Sequence, residues 1–240
     1  MAAKSGSRSR ALPSTAWGII WTGGPVTDFP PEIEPAFLTI GSKPVLAYSL
    51  SAFERCADIE GVVIVTSAAR REYVLTMVQM FGCNKVRSIL AAPATRAGAI
   101  KIGLEAAVEM GAGITVVHEG VRPGVTPELI AETIRVARKS GAAAVARPVA
   151  DPVCEAAKGA KVTGAIENGA LWSTLTPQAF KVDVLVKALT HVAKKKLHLP
   201  DEAAAVVATK QDVHLVPSKR PLVRIAAPGD LNLAELLLRS

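Results

Sequence analysis

The chain has 240 residues, enough for one large domain or one domain with an appendage. Half of it is hydrophobic and only 4% aromatic, so small aliphatic residues must fill the core, which favours a sheet between helices over an all-β sandwich. No window reaches the roughly 20 apolar residues of a membrane span, and the formal charge of +7 is scattered without interleaved aromatics, so nucleic acid is not an expected partner.

Residues 1–15 carry Lys4, Arg8 and Arg10, no acid, and no apolar run of the secretory type. They read as a short disordered basic tail before a single domain over 16–240. Trp17 to Trp21 reads as a buried first strand, with Trp17 and Trp21 on one face. Pro44 to Phe53 reads as a helix with proline in its first turn. Gly61 to Thr66 is the second strand, and Arg71 to Phe81 a helix closed by a left-handed Gly82. A weak strand follows at Val86 to Leu90, then a helix from Ala97 to Met110, a strand from Ile114 to His118, a helix from Pro127 to Ser140 and a strand from Ala143 to Val149.

Regular alternation of strand and helix is the pattern of parallel βαβ units, and continuous apolar strands imply cover on both faces. The pattern breaks at 151–169, where three glycines and little helical period suggest a protruding β-hairpin or a surface loop. An irregular stretch at Thr176-Pro177-Gln178 follows, then helices over Val182–Lys195 and from Asp201. Strands at Val213–Val216 and Leu222–Ile225 precede a last helix from Pro228 to Leu238. The cluster Lys194–Lys196 falls at a helix end, where cations complement the dipole. Cys56, Cys83 and Cys154 form no C-x-x-C pair, so a reducing, cytoplasmic compartment is expected.

Ligands of open parallel sheets bind beyond the carboxyl ends of the strands. After the first strand come Gly23 and Gly24, where a phosphate could approach the backbone or where a tight turn is simply needed. After the strand ending at His118 come Glu119 and Arg122, an acid and a base three residues apart, open to reading as a site or as an ion pair.

The blocks PVLAYSLSAF (44–53), VHEGVRPGV (117–125), ARPVADPV (146–153), LWSTLTPQAF (171–180), PDEAAAV (200–206) and VRIAAPGDLNLAELLL (223–238) together resemble the 2-C-methyl-D-erythritol 4-phosphate cytidylyltransferase family. The resemblance runs from Trp17 to the C-terminus. It implies a mostly parallel, Rossmann-like three-layer α/β fold of the nucleotidyltransferase (GT-A-like) type, with a β-arm at 151–169 that makes a homodimer. It also implies transfer of a cytidylyl group from CTP with Mg²⁺, in which catalysis is mainly positioning and charge stabilisation.

Against the family pattern, several charges are missing. In the glycine-rich loop the second glycine falls on Val26 and the arginine on Asp28. At an effective dielectric near 20, two unit charges about 4 Å apart interact by roughly 4 kcal/mol, so that reversal is severe. Pro35 stands where the family has the lysine of P-K-Q, and Ala99 where it has serine, while Arg96 is kept. Glu119 replaces an aspartate, Pro152 and Pro200 replace threonines, Asn168 replaces the arm arginine, and Arg224 replaces a lysine.

The resemblance thus implies nucleotide contacts at Gly23, Gly24 and Arg96, acceptor contacts at Glu119, Arg122, Asp151 and Arg224, and Glu119 as the one metal ligand. Arg122 and Arg224 would be remnants of the catalytic set. The expected function is a diverged, catalytically impaired homologue. The alternatives are a working nucleotidyltransferase with an anion site rebuilt from Lys43, Arg96, Glu119, Arg122 and Arg224, or a scaffold that binds a protein partner.

Overall fold

The structure is a computed structural model that describes residues 15–23, 28–92 and 95–239. The expected basic tail and Gly24 therefore lie outside the described residues, apart from Thr15. Six parallel strands and one antiparallel strand make the central sheet. In chain order they are β1 (Ala16–Trp21), β4 (Ile59–Thr66), β5 (Val86–Ala91), β6 (Ile114–Glu119), β7 (Ala142–Pro148), β10 (Trp172–Lys181) and β11 (His214–Pro217). Their spatial order is β11-β7-β10-β6-β1-β4-β5, with β10 antiparallel to both neighbours. Two small antiparallel pairs stand outside it: β2 (Thr39–Ile40) with β3 (Lys43–Pro44), and β8 (Val153–Ala157) with β9 (Lys161–Ile166).

All six residues of β1 are buried because both faces of the sheet are covered. Ile20, Ile64 and Val116 point to a layer formed by α1 (Val45–Arg55), α2 (Arg71–Met80) and α4 (Pro127–Ser140). Trp17, Ile19, Trp21, Val63, Val65 and Val117 point to the opposite layer, α3 (Arg96–Glu109), α5 (Val182–Lys195) and α6 (Glu202–Val207). Both tryptophans thus share one face, as their spacing requires. Phe53 fills the first layer and Phe180 the second, both fully buried; each contributes about 1.5–3 kcal/mol by leaving water. The last helix, α7 (Pro228–Arg239), packs Ala234 on a third cluster with Ile40, Val45 and Ile225.

Local chemistry sets the helix ends. α4 begins where the Thr126 side chain accepts from the Leu129 N–H and Pro127 occupies the first turn, and ends before Gly141 at φ +95°. Gly82 follows α2 at φ +63°, the left-handed stop its position suggested. Pro44 proves to be the residue before α1 rather than part of its first turn.

Three expectations are resolved or corrected. The segment over 151–169 contains the β8–β9 hairpin, whose residues are almost all exposed. Thr176-Pro177-Gln178 is not an irregular connection; it lies inside β10. The register shifts between Thr174 and Gln178, and that bulge accommodates a proline with no N–H to offer the ladder. Leu222–Ile225 is not a strand. The Leu222 carbonyl accepts from Arg122 Nη1 at 3.0 Å, and among the described residues a single backbone bond, Ile225 N–H to Val121 O, pins the segment.

Candidate active site

β1 and β6 end side by side, with Trp21 registered against Glu119. The turn after β1 is tied to the sheet by Thr22, whose N–H donates to Val65 O (3.0 Å) and whose hydroxyl donates to Thr66 Oγ1 (2.8 Å). Gly23 has a steric reason to be glycine: a Cβ there would lie 2.5 Å from the Trp21 indole. The indole is 5% exposed, and the Arg96 guanidinium lies over it at 5.7 Å. Such a contact is of cation–π type.

Arg96 opens α3 and joins two carboxylates. Its Nη1 donates to Glu119 Oε1 at 2.6 Å, while Nε and Nη2 fork onto Glu202 at 3.0 and 2.6 Å. The second oxygen of Glu119 accepts from Arg122 Nε at 2.6 Å. Four buried or nearly buried charges, two of each sign, therefore neutralise one another. Burial alone would raise the Glu119 carboxyl, but the guanidiniums of Arg122 and Arg96 outweigh it and hold it below the ordinary carboxylate value. Burial would lower Arg96, yet Glu202 and Glu119 hold it above its ordinary value. Arg122 falls below its ordinary value under the opposite balance, burial first, only partly offset by Glu119.

A second layer of hydrogen bonds holds this network. Thr176 Oγ1 accepts from the Glu119 N–H at 3.1 Å and lies 3.1 Å from His118 Nδ1. His118 Nε2 is 3.1 Å from Ser49 Oγ, which donates to Arg122 O at 3.3 Å. A neutral imidazole with its proton on Nε2 satisfies the whole chain. Complete burial, then the Arg122 charge, pushes the His118 pKa down to about 3. Glu202 is placed by α6, which Asp201 caps through the Ala204 N–H while Gln178 accepts from Ala203 N–H and donates to Asp201.

Of the residues singled out in the sequence, Arg96, Glu119 and Arg122 meet at the strand ends. Arg224 is partly buried beside them, and its charge acts on both Glu119 and Arg122. Asp151 is exposed at the base of the arm. Lys43 does not join the group; it stands on β3 over the Tyr48 ring and lines a different cleft. The rebuilt anion site is corrected accordingly: it has no Lys43. The sequence alone does not mark Glu202, Thr176 or Gln178 as site residues, although they stand in the PDEAAAV and LTPQAF blocks.

The set does not fit a divalent cation. Mg²⁺ takes one or two carboxylates with free oxygens, whereas both Glu119 oxygens are held by guanidiniums. Among the described residues no three of His, Cys, Asp and Glu cluster as a metal site would. On the loop side, Asp28 N–H donates to Ala226 O at 2.8 Å, which returns the segment after β1 to the neighbourhood of Arg224. Pro35 starts a short 3₁₀ turn whose Ala36 is fully buried, and the preceding Glu34 pairs with Arg70 at 2.6 Å.

A mostly parallel sheet with a glycine-bearing turn after its first strand and arginines at its strand ends defines a nucleotidyltransferase-fold protein. Residues 22–240 match the profile of 2-C-methyl-D-erythritol 4-phosphate cytidylyltransferase, and the chain belongs to that family. It is 34% identical over 216 residues to the Geobacter metallireducens enzyme of that name, covering 87% of this chain and 90% of the other. It is 31% identical over 210 residues to the Pelotomaculum thermopropionicum enzyme, covering 87% and 88%. A crystal structure of 4-diphosphocytidyl-2C-methyl-D-erythritol synthase from Anaerococcus prevotii superposes with a TM-score of 0.81 at 19% identity, covering 94% and 98%, a likeness of fold. No helix of the described residues is long and apolar enough to cross a membrane.

Proposed function

We propose that this chain is a diverged cytidylyltransferase of the isoprenoid-precursor pathway whose transfer of a cytidylyl group to methylerythritol phosphate is impaired. The observation that carries the reading is the neutral Arg96–Glu202–Glu119–Arg122 network, which spends two strand-end guanidiniums on internal carboxylates. Asp28 and Pro35 in place of family cations support it, because phosphoryl-type transfer depends on positive charge around the transferring group. Gly23, Gly24 and Arg96 form the nucleotide end of this reduced site, and Glu119, Arg122, Asp151 and Arg224 the acceptor end. Both Glu119 oxygens already accept from guanidiniums, so no step is assigned to the metal.

The exposed β8–β9 hairpin supports a homodimer formed through the arm, since an isolated two-stranded hairpin is at best marginally stable in water. We place the protein in the cytoplasm as a single folded domain over 16–240.

A working nucleotidyltransferase is the second reading. It is favoured by Arg224, which has no ion-pair partner among the described residues and so leaves one cation for a phosphate. Thermal unfolding with CTP and Mg²⁺, beside the Geobacter enzyme as control, separates the two. A ligand at 100 times its dissociation constant adds about 2.7 kcal/mol, several degrees at roughly 2–4 °C per kcal/mol. Impairment predicts little shift and pyrophosphate release at least 10²-fold below the control. A control-like shift and rate would overturn it in favour of the second reading.

A further inference from the structure

Beyond Arg122 the chain runs into a cleft of about 660 Å³ that the strand-end network does not use. That volume lies in the range of small-molecule sites. Three cations from separate parts of the chain converge on it: Lys43 from β3, Arg55 from the end of α1, and Arg220 from the segment after β11. None of the three has an ion-pair partner among the described residues.

One carboxylate, Glu128, also lines the cleft. It is tied to the start of α4: its own backbone N–H and the Thr126 hydroxyl hold its carboxyl below the ordinary value, with Arg55 a lesser influence. Three cations against one carboxylate leave the lining two charges positive, which matches a phosphate monoester dianion. Arginine forks suit the planar pairs of phosphate oxygens.

The remaining wall is mostly apolar, with Ser51 and Thr126 as its hydroxyl residues. Ala47 and Val125 are buried behind it, Leu238 comes from α7, and the Tyr48 ring stands beside Lys43. The Tyr48 hydroxyl donates to Ile40 O at 2.7 Å, so the ring is held in place and presents its carbon framework. A lining that carries both cations and aliphatic or aromatic surface is complementary to an amphipathic anion.

We propose that this cleft is a second binding site, which takes a small phosphorylated molecule with an apolar body. None of Arg96, Glu119, Arg122 and Glu202 lines the cleft.

The chain has two tyrosines, Tyr48 in the cleft and Tyr73 on α2 against Phe37. Biosynthetic 3-fluorotyrosine therefore gives two ¹⁹F signals, assigned with Tyr48→Phe. Phenyl phosphate, titrated to about 10 mM against potassium chloride of equal ionic strength, should move the Tyr48 signal saturably and leave Tyr73 in place. Inorganic phosphate should need a several-fold higher concentration, because it lacks the apolar body. The Lys43→Ala/Arg55→Ala/Arg220→Ala variant, altered only at exposed positions, should weaken the response at least tenfold while its unchanged Tyr73 signal reports an intact fold. A Tyr48 signal that stays put, that moves equally in the triple variant, or that responds alike to inorganic and phenyl phosphate would overturn the proposal.

Discussion

Arg96 and Glu202, 106 positions apart in the chain, are joined by a two-pronged ion pair at 3.0 and 2.6 Å. Glu202 is 3% exposed and Arg96 17%, so water screens the pair weakly. Replacing Glu202 by alanine strands a guanidinium that keeps only Glu119. We expect a loss of about 3 kcal/mol, near the lower end for breaking a buried pair, measured by urea unfolding. Glu202→Gln keeps the shape and removes one negative charge. Under the proposed function it should enlarge the CTP-induced thermal shift relative to the unaltered chain; an unchanged shift would argue that Arg96 is not what limits nucleotide binding.

Restoring charge should restore rate. Asp28→Arg combined with Pro35→Lys returns two family cations to the phosphate side. Pyrophosphate release from CTP and methylerythritol phosphate should rise by about 10²-fold or more, the scale of a single pre-organised charge stabiliser. The pair need not multiply, because such groups act as a unit. No gain in a variant that still unfolds cooperatively would locate the defect elsewhere.

The buried His118 makes stability depend on pH in a defined direction. Its folded pKa of about 3 lies below the unfolded value of about 6.5. Between those values the unfolded chain binds a proton that the folded chain does not. Stability from this group is complete above pH 6.5 and is lost progressively as pH falls toward 3. Glu119, whose carboxyl is also lowered, adds a loss in the same direction on the acid side of its unfolded value. Equilibrium unfolding at pH 7.5, 6 and 5 should show falling stability, and His118→Gln should flatten the part between 6.5 and 5.

Gly23→Ala tests the turn after β1. The added methyl would meet the Trp21 indole at 2.5 Å, and that ring is wedged below Arg96. Overpacking of this kind costs about 1–3 kcal/mol. The double variant Trp21→Ala/Gly23→Ala should cost less than the sum of the two single changes, because the clash vanishes with the ring. Additive costs would mean that Gly23 is needed for another reason.

β1, β4, β6, α2 and α4 were legible within a residue or two, because their instructions are local. A run such as AWGIIW has buried residues on both faces, and Thr126-Pro127-Glu128 with Gly141 carries both ends of α4. Glu119 and Arg122 were legible as charges at a strand end through the order of parallel βαβ units, and Arg96 through the family resemblance. What they bond to was not, since Glu202 reaches Arg96 only when α6 has folded across the sheet.

Tertiary structure also decided the places where local signals misled. Pro177 reads as a break, yet β10 absorbs it in a bulge between two strands. Leu222–Ile225 reads as a strand, yet Arg122 takes the Leu222 carbonyl and no ladder forms. Lys43, close in sequence to α1, does not join the strand-end arginines but lines a cleft with Arg55 and Arg220. Propensity and periodicity act over a turn or two of chain and so are written in order along it. Which charge neutralises which depends on distances of a few ångströms between residues far apart in sequence, and only the packed chain sets those.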